Sequence, residues 1–211
     1  MFFIGDCHGM FPTYKKMVKK MDHSLLLGDV GIGFRTSRGV TNFPVGIHPS
    51  HKFFDGNHDH AELCKTSPNY VGRYSYHDNG IFTISGGWSI DKIHRTPNID
   101  WWESEQLSEQ EIKEVKELYI KSKPSIVCTH VPPKGVRLML FGDYIDSTLD
   151  YTECFFDDLF RIHQPDYWIF GHCHIRKDLK YGYYHTQFIA VDMIGCPRHI
   201  DCVFELPGLT W

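Results

Sequence analysis

Five short apolar runs in this chain end in the same way, with aspartate, asparagine or histidine close behind the last apolar residue. The motifs that close these runs are Asp6-Cys7-His8-Gly9, Gly28-Asp29, Gly56-Asn57-His58-Asp59, Thr129-His130 and Gly171-His172-Cys173-His174. Glycine, asparagine and aspartate are ordinary turn residues because they tolerate positive φ, but a turn has no use for an imidazole. In α/β sheets, ligands bind outside the carboxyl ends of the strands. We therefore expect the five strand ends to meet at one site.

The same runs alternate with helical patterns, which predicts an α/β fold. Strands are predicted at 2–5, 24–27, 52–55, 80–85, 125–129, 166–170, 187–192 and 200–205, and helices at 12–21, 61–65, 109–121 and 152–163. Ser108 and Glu111 have the spacing of a capping box at the start of the third helix. The last two strands have no helix between them, which indicates a hairpin and sheets of mixed direction. Segment 31–51 is rich in turn residues and is predicted to be a long surface loop.

Length and composition narrow the class of protein. The chain has 211 residues, 42% of them hydrophobic, which predicts a single domain over 1–211 with a sizeable core. No run is long enough to span a membrane, and the amino terminus lacks the basic region of a secretory signal. Seven cysteines without a C-x-x-C pair favour a reducing, cytoplasmic setting over a disulfide framework. The net charge of −4 disfavours a duplex nucleic-acid binder.

The most unusual number in the composition is fourteen histidines. Those at the strand ends combine with oxygen donors into a candidate ligand set of Asp6, His8, Asp29, Asn57, His130, His172 and His174. Mixed oxygen and imidazole ligands suit manganese, iron or zinc better than calcium or magnesium. Seven ligands are too many for one ion with an open position, but they suit two ions bridged by a carboxylate. Two such ions about 3.5–4 Å apart are suited to displacement at phosphorus.

Between residues 5 and 174, the ordered motifs GDCHG, GD, GNHD, TH and GHCH resemble the calcineurin-like metallophosphoesterase superfamily. The resemblance implies a four-layer α/β/β/α sandwich of two mixed β-sheets, with a dinuclear metal site at its edge. It implies a first ion on Asp6, His8 and His174, a second on Asn57, His130 and His172, and Asp29 as the bridge. A hydroxide between the ions would attack the phosphorus atom, and the P–O bond to the leaving group would break. Manganese is the expected ion, with iron, zinc and nickel as alternatives.

The same resemblance implies the roles of the remaining residues in the GNHD motif. His58 would contact the substrate phosphate and donate a proton to the leaving oxygen, and Asp59 would orient it. A proton donor of this kind should titrate near the working pH. We count Asn57, His58 and Arg95 as candidate phosphate contacts. For Arg95, within the segment SGGWSIDKIHRT at 85–96, a surface arginine on a structural loop is the alternative interpretation.

Two further features bear on the substrate. Phosphatases of one branch have the motif GDxxDRG, and this chain has Gly33 at the position of its arginine; Arg35 or Arg38 could take the place of that arginine. The GHCH motif is similar to phosphodiesterases and nucleases instead. We therefore expect a phosphodiester, nucleotide or nucleic-acid end as substrate, with a phosphomonoester or a non-catalytic scaffold as alternatives. Trp101-Trp102 is either a platform for stacking bases or a buried loop anchor.

Overall fold

The computed structural model describes residues 1–37, 39–142 and 150–211, so Arg38 lies outside the described part. The strands in these residues are β1 (Phe2–Ile4), β2 (Ser24–Leu27), β3 (Arg35–Thr36), β4 (Gly39–Val40), β5 (His51–Phe54), β6 (Tyr74–Tyr76), β7 (Ile81–Ile84), β8 (Ile126–Thr129), β9 (Tyr167–Phe170), β10 (Lys177–Lys180), β11 (Gln187–Ala190) and β12 (Val203–Glu205). The α-helices are α1 (Phe11–Val18), α2 (Ala61–Cys64), α3 (Glu109–Ser122), α4 (Lys134–Phe141) and α5 (Tyr151–Ile162). Short 3₁₀ turns cover Lys92–His94 and Glu103–Glu105.

The strands form two mixed sheets. The smaller sheet has the order β12-β1-β2-β5, with β12 antiparallel to β1 and the other pairs parallel. The larger has the order β10-β11-β9-β8-β7-β6, with parallel pairs in the centre and an antiparallel pair at each edge. Strands β3 and β4 pair with each other, inside the segment predicted as a loop.

The predicted hairpin of the last two strands is wrong, although both strands exist. Strand β11 pairs with β9 and β10 in the larger sheet, whereas β12 pairs with β1 in the smaller one. The chain changes layers between them, because Val191 is buried between the sheets while Ile194 and Cys202 are buried on the helical side of the smaller sheet. Burial of the apolar residues between β11 and β12 therefore outweighs pairing of these two strands with each other.

Apolar side chains fill three interfaces between four layers. Along β2, Leu25 and Leu27 point into the space between the two sheets, and Leu26 points toward α1. In β9, Ile169 faces the same space, while its neighbours face the helical layer of α3, α4 and α5. Successive residues of a strand point to opposite faces, so strands covered on both sides read as continuous apolar runs. The predicted four-layer α/β/β/α sandwich is confirmed.

Helix α3 begins as its sequence predicts. The Ser108 hydroxyl accepts a hydrogen bond from the Glu111 N–H, and the Glu111 carboxylate accepts one from the Ser108 N–H. Val115 and Tyr119 are buried against the larger sheet, and the helix ends at Lys123 in the left-handed conformation. Helix α4 was not predicted. It follows Pro133 and contains Gly135, so its sequence lacks a cap signal.

Candidate metal centre

Three of the predicted ligands meet at the ends of β1 and β9. The Nε2 atom of His174 lies 3.0 Å from the Oδ2 atom of Asp6 and 3.0 Å from the Nε2 atom of His8. Asp6 is buried, whereas the side chains of His8 and His174 are 27% and 44% exposed. Their ligand atoms all lie within 4.8 Å of one another, which is the spacing of a group that can hold one cation.

A second group lies behind the first at the ends of β2, β5, β8 and β9. The Nε2 atom of His130 is 3.2 Å from Asp29 Oδ1, 3.2 Å from His172 Nδ1 and 2.8 Å from Asn57 Oδ1. Asp29, Asn57 and His130 are buried. Asp29 also faces the first group, because its Oδ2 atom lies 3.9 Å from His8 Nε2. The structure thus brings all seven predicted ligands together in two adjoining groups.

Hydrogen bonds outside each group select the atom that faces inward. His130 Nδ1 lies 2.9 Å from the carbonyl oxygen of Leu27, so Nδ1 donates its proton away from the group and Nε2 faces the other candidate ligands. Asp6 Oδ1 accepts a hydrogen bond from the backbone N–H of His172 at 2.9 Å, which leaves Oδ2 toward the other ligands. These contacts orient the donor atoms as a metal site requires.

The backbone at the ligands is unusual. His8, Asp29, His172 and His174 have φ angles of 45°, 44°, 60° and 49°, in the left-handed region that non-glycine residues rarely adopt. Such conformations cost free energy and concentrate at functional sites. Gly56 of the GNHD motif provides space, because a Cβ atom there would lie 2.3 Å from Asp29 Oδ1 and 2.8 Å from His130 Nε2. This close approach explains the glycine in front of the asparagine.

The charges in the second group are strongly coupled. Burial acts to raise the pKa of Asp29, but the neighbouring His130 and His58 outweigh it and hold that pKa well below its ordinary value. Burial acts to lower the pKa of His130, yet Asp29 raises it to about 10. Burial and the charge of His130 lower the pKa of His172 to about 3. The buried carboxylates of Asp6 and Asp29, together with the imidazole donors around them, form a mixed oxygen and nitrogen set that fits a divalent transition-metal cation.

Comparison with known proteins gives a family for this site. The sequence model of the calcineurin-like phosphoesterase family matches residues 1–176, which span all five motifs. The chain belongs to this family. It is therefore a metal-dependent phosphoesterase, a hydrolase that acts on phosphoester bonds of small phosphorylated substrates. The matched range includes residues 5–174, whose motifs resemble this family, so the predicted membership is confirmed.

Two solved structures that are similar to this phosphoesterase are distant from it in sequence. The phosphopantetheinyl hydrolase PptH from Mycobacterium tuberculosis is 12% identical, with a TM-score of 0.57, and the match covers 98% of this chain and 95% of that chain. A predicted phosphoesterase from Streptococcus pneumoniae TIGR4 is 13% identical, with a TM-score of 0.45 and coverage of 100% and 94%. Comparison with the curated proteins gave no match. No helix in the described residues is long and apolar enough to cross a membrane.

His58 lies at the mouth of the phosphoesterase site. Its backbone N–H donates to Asp29 Oδ1 at 2.9 Å, and its Nε2 atom lies 3.9 Å from Asp29 Oδ2. Arg95 Nη2 approaches the same Nε2 atom at 3.3 Å. Burial lowers the pKa of His58, and the positive charge of Arg95 adds to that effect, while Asp29 opposes it. His58 Nε2 therefore faces both the ligand groups and a guanidinium.

Asp59 does not make the contact with His58 that the resemblance implies. Its two carboxylate oxygens accept hydrogen bonds from the backbone N–H groups of Val30, Gly31, Ile32 and Gly56, at 2.8–2.9 Å. Within the described part of the chain, the Nδ1 atom of His58 is buried without a hydrogen-bond partner. Asp59 thus ties the loop after β2 to the end of β5, and it acts on the site through the backbone.

Arg95 reaches the site, whereas Arg35 is exposed on β3. Asp91 holds the guanidinium with two bonds of 2.7 Å, from Nε to Oδ1 and from Nη2 to Oδ2. Trp102 is a buried loop anchor, packed edge-on against Phe34. The ring of Trp101 is covered by the ammonium group of Lys92 at 4.1 Å, so this face is not open to a base.

Two residues that contact the candidate site residues were not predicted from the sequence. Ser89 accepts a hydrogen bond from the Asn57 amide at 2.9 Å, and Asp91 holds Arg95 as described above. Both belong to the segment at 85–96, whose glycines at the end of a strand indicate that it lies near the site. The individual residues could not be predicted, because Ser89 and Asn57 are 32 positions apart in the chain.

Proposed function

We propose that this phosphoesterase binds two divalent cations and hydrolyses P–O bonds. The site would lie at the carboxyl ends of the strands, where the two sheets meet. The observation that carries the proposal is Asp29, whose two oxygens face the two ligand groups. The first cation would lie on Asp6, His8 and His174, the second on Asn57, His130 and His172, and Asp29 would bridge them. Manganese is the proposed ion, and iron, zinc and nickel fit the same donors. Such ions supply Lewis acidity and lower the pKa of water near neutrality.

His58 and Arg95 would handle the substrate phosphate. His58 Nε2 faces the ligand groups and would donate a proton to the leaving oxygen. The planar guanidinium of Arg95 is suited to two hydrogen bonds with a phosphoryl group, and Asp91 restricts its orientation. In the free protein it contacts His58, so a phosphate would replace that contact. Asp59 would support His58 through the backbone, because it holds the N–H of Gly56 in the same motif.

For the substrate, we propose a phosphodiester or nucleotide, and phosphomonoesters are the second candidate. The support is in the motifs: Gly33 stands where the phosphatase branch has arginine, and GHCH is similar to the diesterase branch. We also propose a single domain over residues 1–211 and a reducing, cytoplasmic location. No disulfide joins cysteines in the described residues, which accords with that location.

The experiment measures bound metal and manganese-dependent hydrolysis of bis-p-nitrophenyl phosphate and p-nitrophenyl phosphate. We compare the wild type, His58→Ala and His185→Ala, a control at an exposed histidine beside Asp166. We expect two ions per chain in all three proteins and a loss of at least about 100-fold in hydrolysis for His58→Ala, the scale of lost acid catalysis. His185→Ala should retain wild-type hydrolysis.

Other results would contradict parts of the proposal. Absence of bound metal in the wild type would refute the dinuclear site. Two bound ions without turnover of either ester would favour a non-catalytic scaffold. A strong preference for the monoester would refute the diester assignment and leave the metal site intact.

A further inference from the structure

Ser89 belongs to the glycine-containing segment at 85–96, which follows β7. Among the contacts of the described residues, its side chain is the only one in this segment that forms a hydrogen bond with a candidate metal ligand. The Asn57 Nδ2 group donates to Ser89 Oγ at 2.9 Å, and both side chains are buried. An asparagine side chain can present either its oxygen or its NH₂ group to a cation, and only the oxygen can coordinate. Because Ser89 accepts from the NH₂ group, Asn57 Oδ1 is left facing His130 Nε2 at 2.8 Å.

Glu105 holds Ser89 in turn. Its Oε2 atom accepts a hydrogen bond from the Ser89 N–H at 3.2 Å, and the Glu105 side chain is buried. The carbonyl oxygen of Glu105 also accepts from the Gly87 N–H at 3.0 Å. Both ends of the Gly87–Ser89 stretch are therefore bonded to the 3₁₀ turn Glu103–Glu105. A hydrogen bond to a charged acceptor is stronger than one between neutral groups.

The glycines in this segment let it lie against the ligands. A Cβ atom on Gly87 would come within 2.5 Å of Val131 Cγ1 and within 3.6 Å of Asn57 Oδ1. A side chain at this position would push the backbone away from Asn57 and open the contact between Ser89 and the amide. The sequence Ser85-Gly86-Gly87-Trp88-Ser89 thus combines close packing with a hydrogen-bond acceptor for the ligand.

We propose that Ser89, held by Glu105, is a positioning residue that fixes the amide of Asn57 with its oxygen toward the second cation. This inference rests on the proposed dinuclear function and adds to it a residue outside the five motifs. Hydrogen-bond partners of metal ligands typically change metal affinity about 10–100-fold when they are removed. Loss of the Ser89 hydroxyl also leaves a buried NH₂ group without its acceptor, which favours rotation of the amide.

The test is calorimetric titration of the metal-free protein with Mn²⁺. We expect two binding events in the wild type and, in Ser89→Ala, weakening of one event by about 10–100-fold while the other is unchanged. Asn57→Ala should weaken the same event at least as much. Ser89→Thr keeps the oxygen acceptor and should bind both ions as the wild type does.

A matched control separates positioning from a general loss of stability. Ser24 is also a buried, hydrogen-bonded serine, but it lies at the amino end of β2 and contacts His51 Nδ1 at 3.0 Å. We expect Ser24→Ala to lower the urea midpoint and to keep both Mn²⁺ affinities. Glu105→Gln, which loses the charge of the acceptor, should weaken the same event as Ser89→Ala by a smaller factor.

The outcomes distinguish the inference from the function on which it rests. Two wild-type affinities in Ser89→Ala, or equal weakening of both events, would overturn the role of Ser89. Should Ser89→Ala fail to fold, an unaltered pair of affinities in Glu105→Gln would overturn it as well. A wild type that binds fewer than two ions would instead refute the dinuclear proposal.

Discussion

At the scale of single residues, the site is a set of donor atoms that other hydrogen bonds have already oriented. The Leu27 carbonyl fixes His130, the His172 N–H fixes Asp6, and Ser89 fixes Asn57. Each of these partners removes one of two ways in which the ligand could face the cation. The donor atoms are therefore ordered when the protein folds, so little further ordering is needed when a cation binds.

Gly56 allows these ligands to approach one another, and its replacement gives a prediction. In Gly56→Ala the new methyl group would collide with Asp29 Oδ1 and with His130 Nε2. We expect stability to fall by about 1–3 kcal/mol, as in overpacked cores, together with loss of the second Mn²⁺ ion. Urea unfolding and metal analysis after dialysis measure the two effects.

Gly182→Ala is the matched control for this substitution. Gly182 has a φ of 59°, and a Cβ atom there would have no neighbour within 4 Å, so alanine costs only backbone strain, about 1–2 kcal/mol. We expect both ions to remain bound. Equal metal content in the two variants would show that crowding at Gly56 does not matter to the site.

The meeting of the seven candidate ligands could be predicted from the sequence because their signal is local. Each lies close behind the end of a strand, and imidazoles at such positions have no use in a turn. The partners that orient them could not be predicted, because His130 and Leu27 are separated by 103 positions. Asp59 is a second example. The GNHD motif marks it as a residue of the site, but its hydrogen bonds to the loop after β2 depend on the folded backbone.

At the scale of elements, a buried ion pair holds the end of β5 against the larger sheet. Asp55 accepts hydrogen bonds from Arg73 Nη1 at 2.5 Å, Ser85 Oγ at 2.8 Å and Tyr70 OH at 2.5 Å. Arg73 also donates from Nε to Glu111 of α3 at 3.1 Å. Because Asp55 directly precedes Gly56, this network joins β5, β7 and α3 next to the candidate metal ligands.

Removal of Arg73 should therefore be costly. Arg73→Met leaves the Asp55 carboxylate buried without its charged partner, and we expect the free energy of unfolding to fall by about 3–5 kcal/mol. Arg161→Met removes an exposed pair with Asp158 and should cost less than about 1 kcal/mol. Urea denaturation of both variants is the measurement. Similar costs for the two would mean that the buried pair does not stabilise the fold.

Strands could be predicted where an apolar run is followed by residues that end a strand, such as glycine. All eight predicted strands are present in the structure. Edge strand β10 was missed because its residues, Lys177–Lys180, are largely exposed and charged. The hairpin error has a different cause. The sequence of β12 is compatible with either sheet, and the choice of β1 as partner depends on where the connection buries Ile194 and Cys202.

At the scale of the whole molecule, the site joins the two sheets. Asp6, His8, Asp29 and Asn57 follow strands of the smaller sheet, and His130, His172 and His174 follow strands of the larger one. Neither sheet holds a complete ligand group, since Asp6 pairs with His174 and Asp29 with His130. Cations at this position would thus act as links between the layers, in addition to any role in hydrolysis.

Removal of the metal should consequently destabilise the whole fold. A ligand that binds the folded state alone stabilises it by about 2.7 kcal/mol at 100 times its dissociation constant, and each kcal/mol corresponds to about 2–4 °C for a chain of this size. We expect chelation to lower the midpoint of thermal unfolding by at least about 5 °C, and stoichiometric Mn²⁺ to restore it. His174→Ala, which breaks the first group, should show a smaller response to Mn²⁺ than the wild type. An unfolding midpoint that does not change on chelation, in a protein shown to release two ions, would contradict the view that the cations link the sheets.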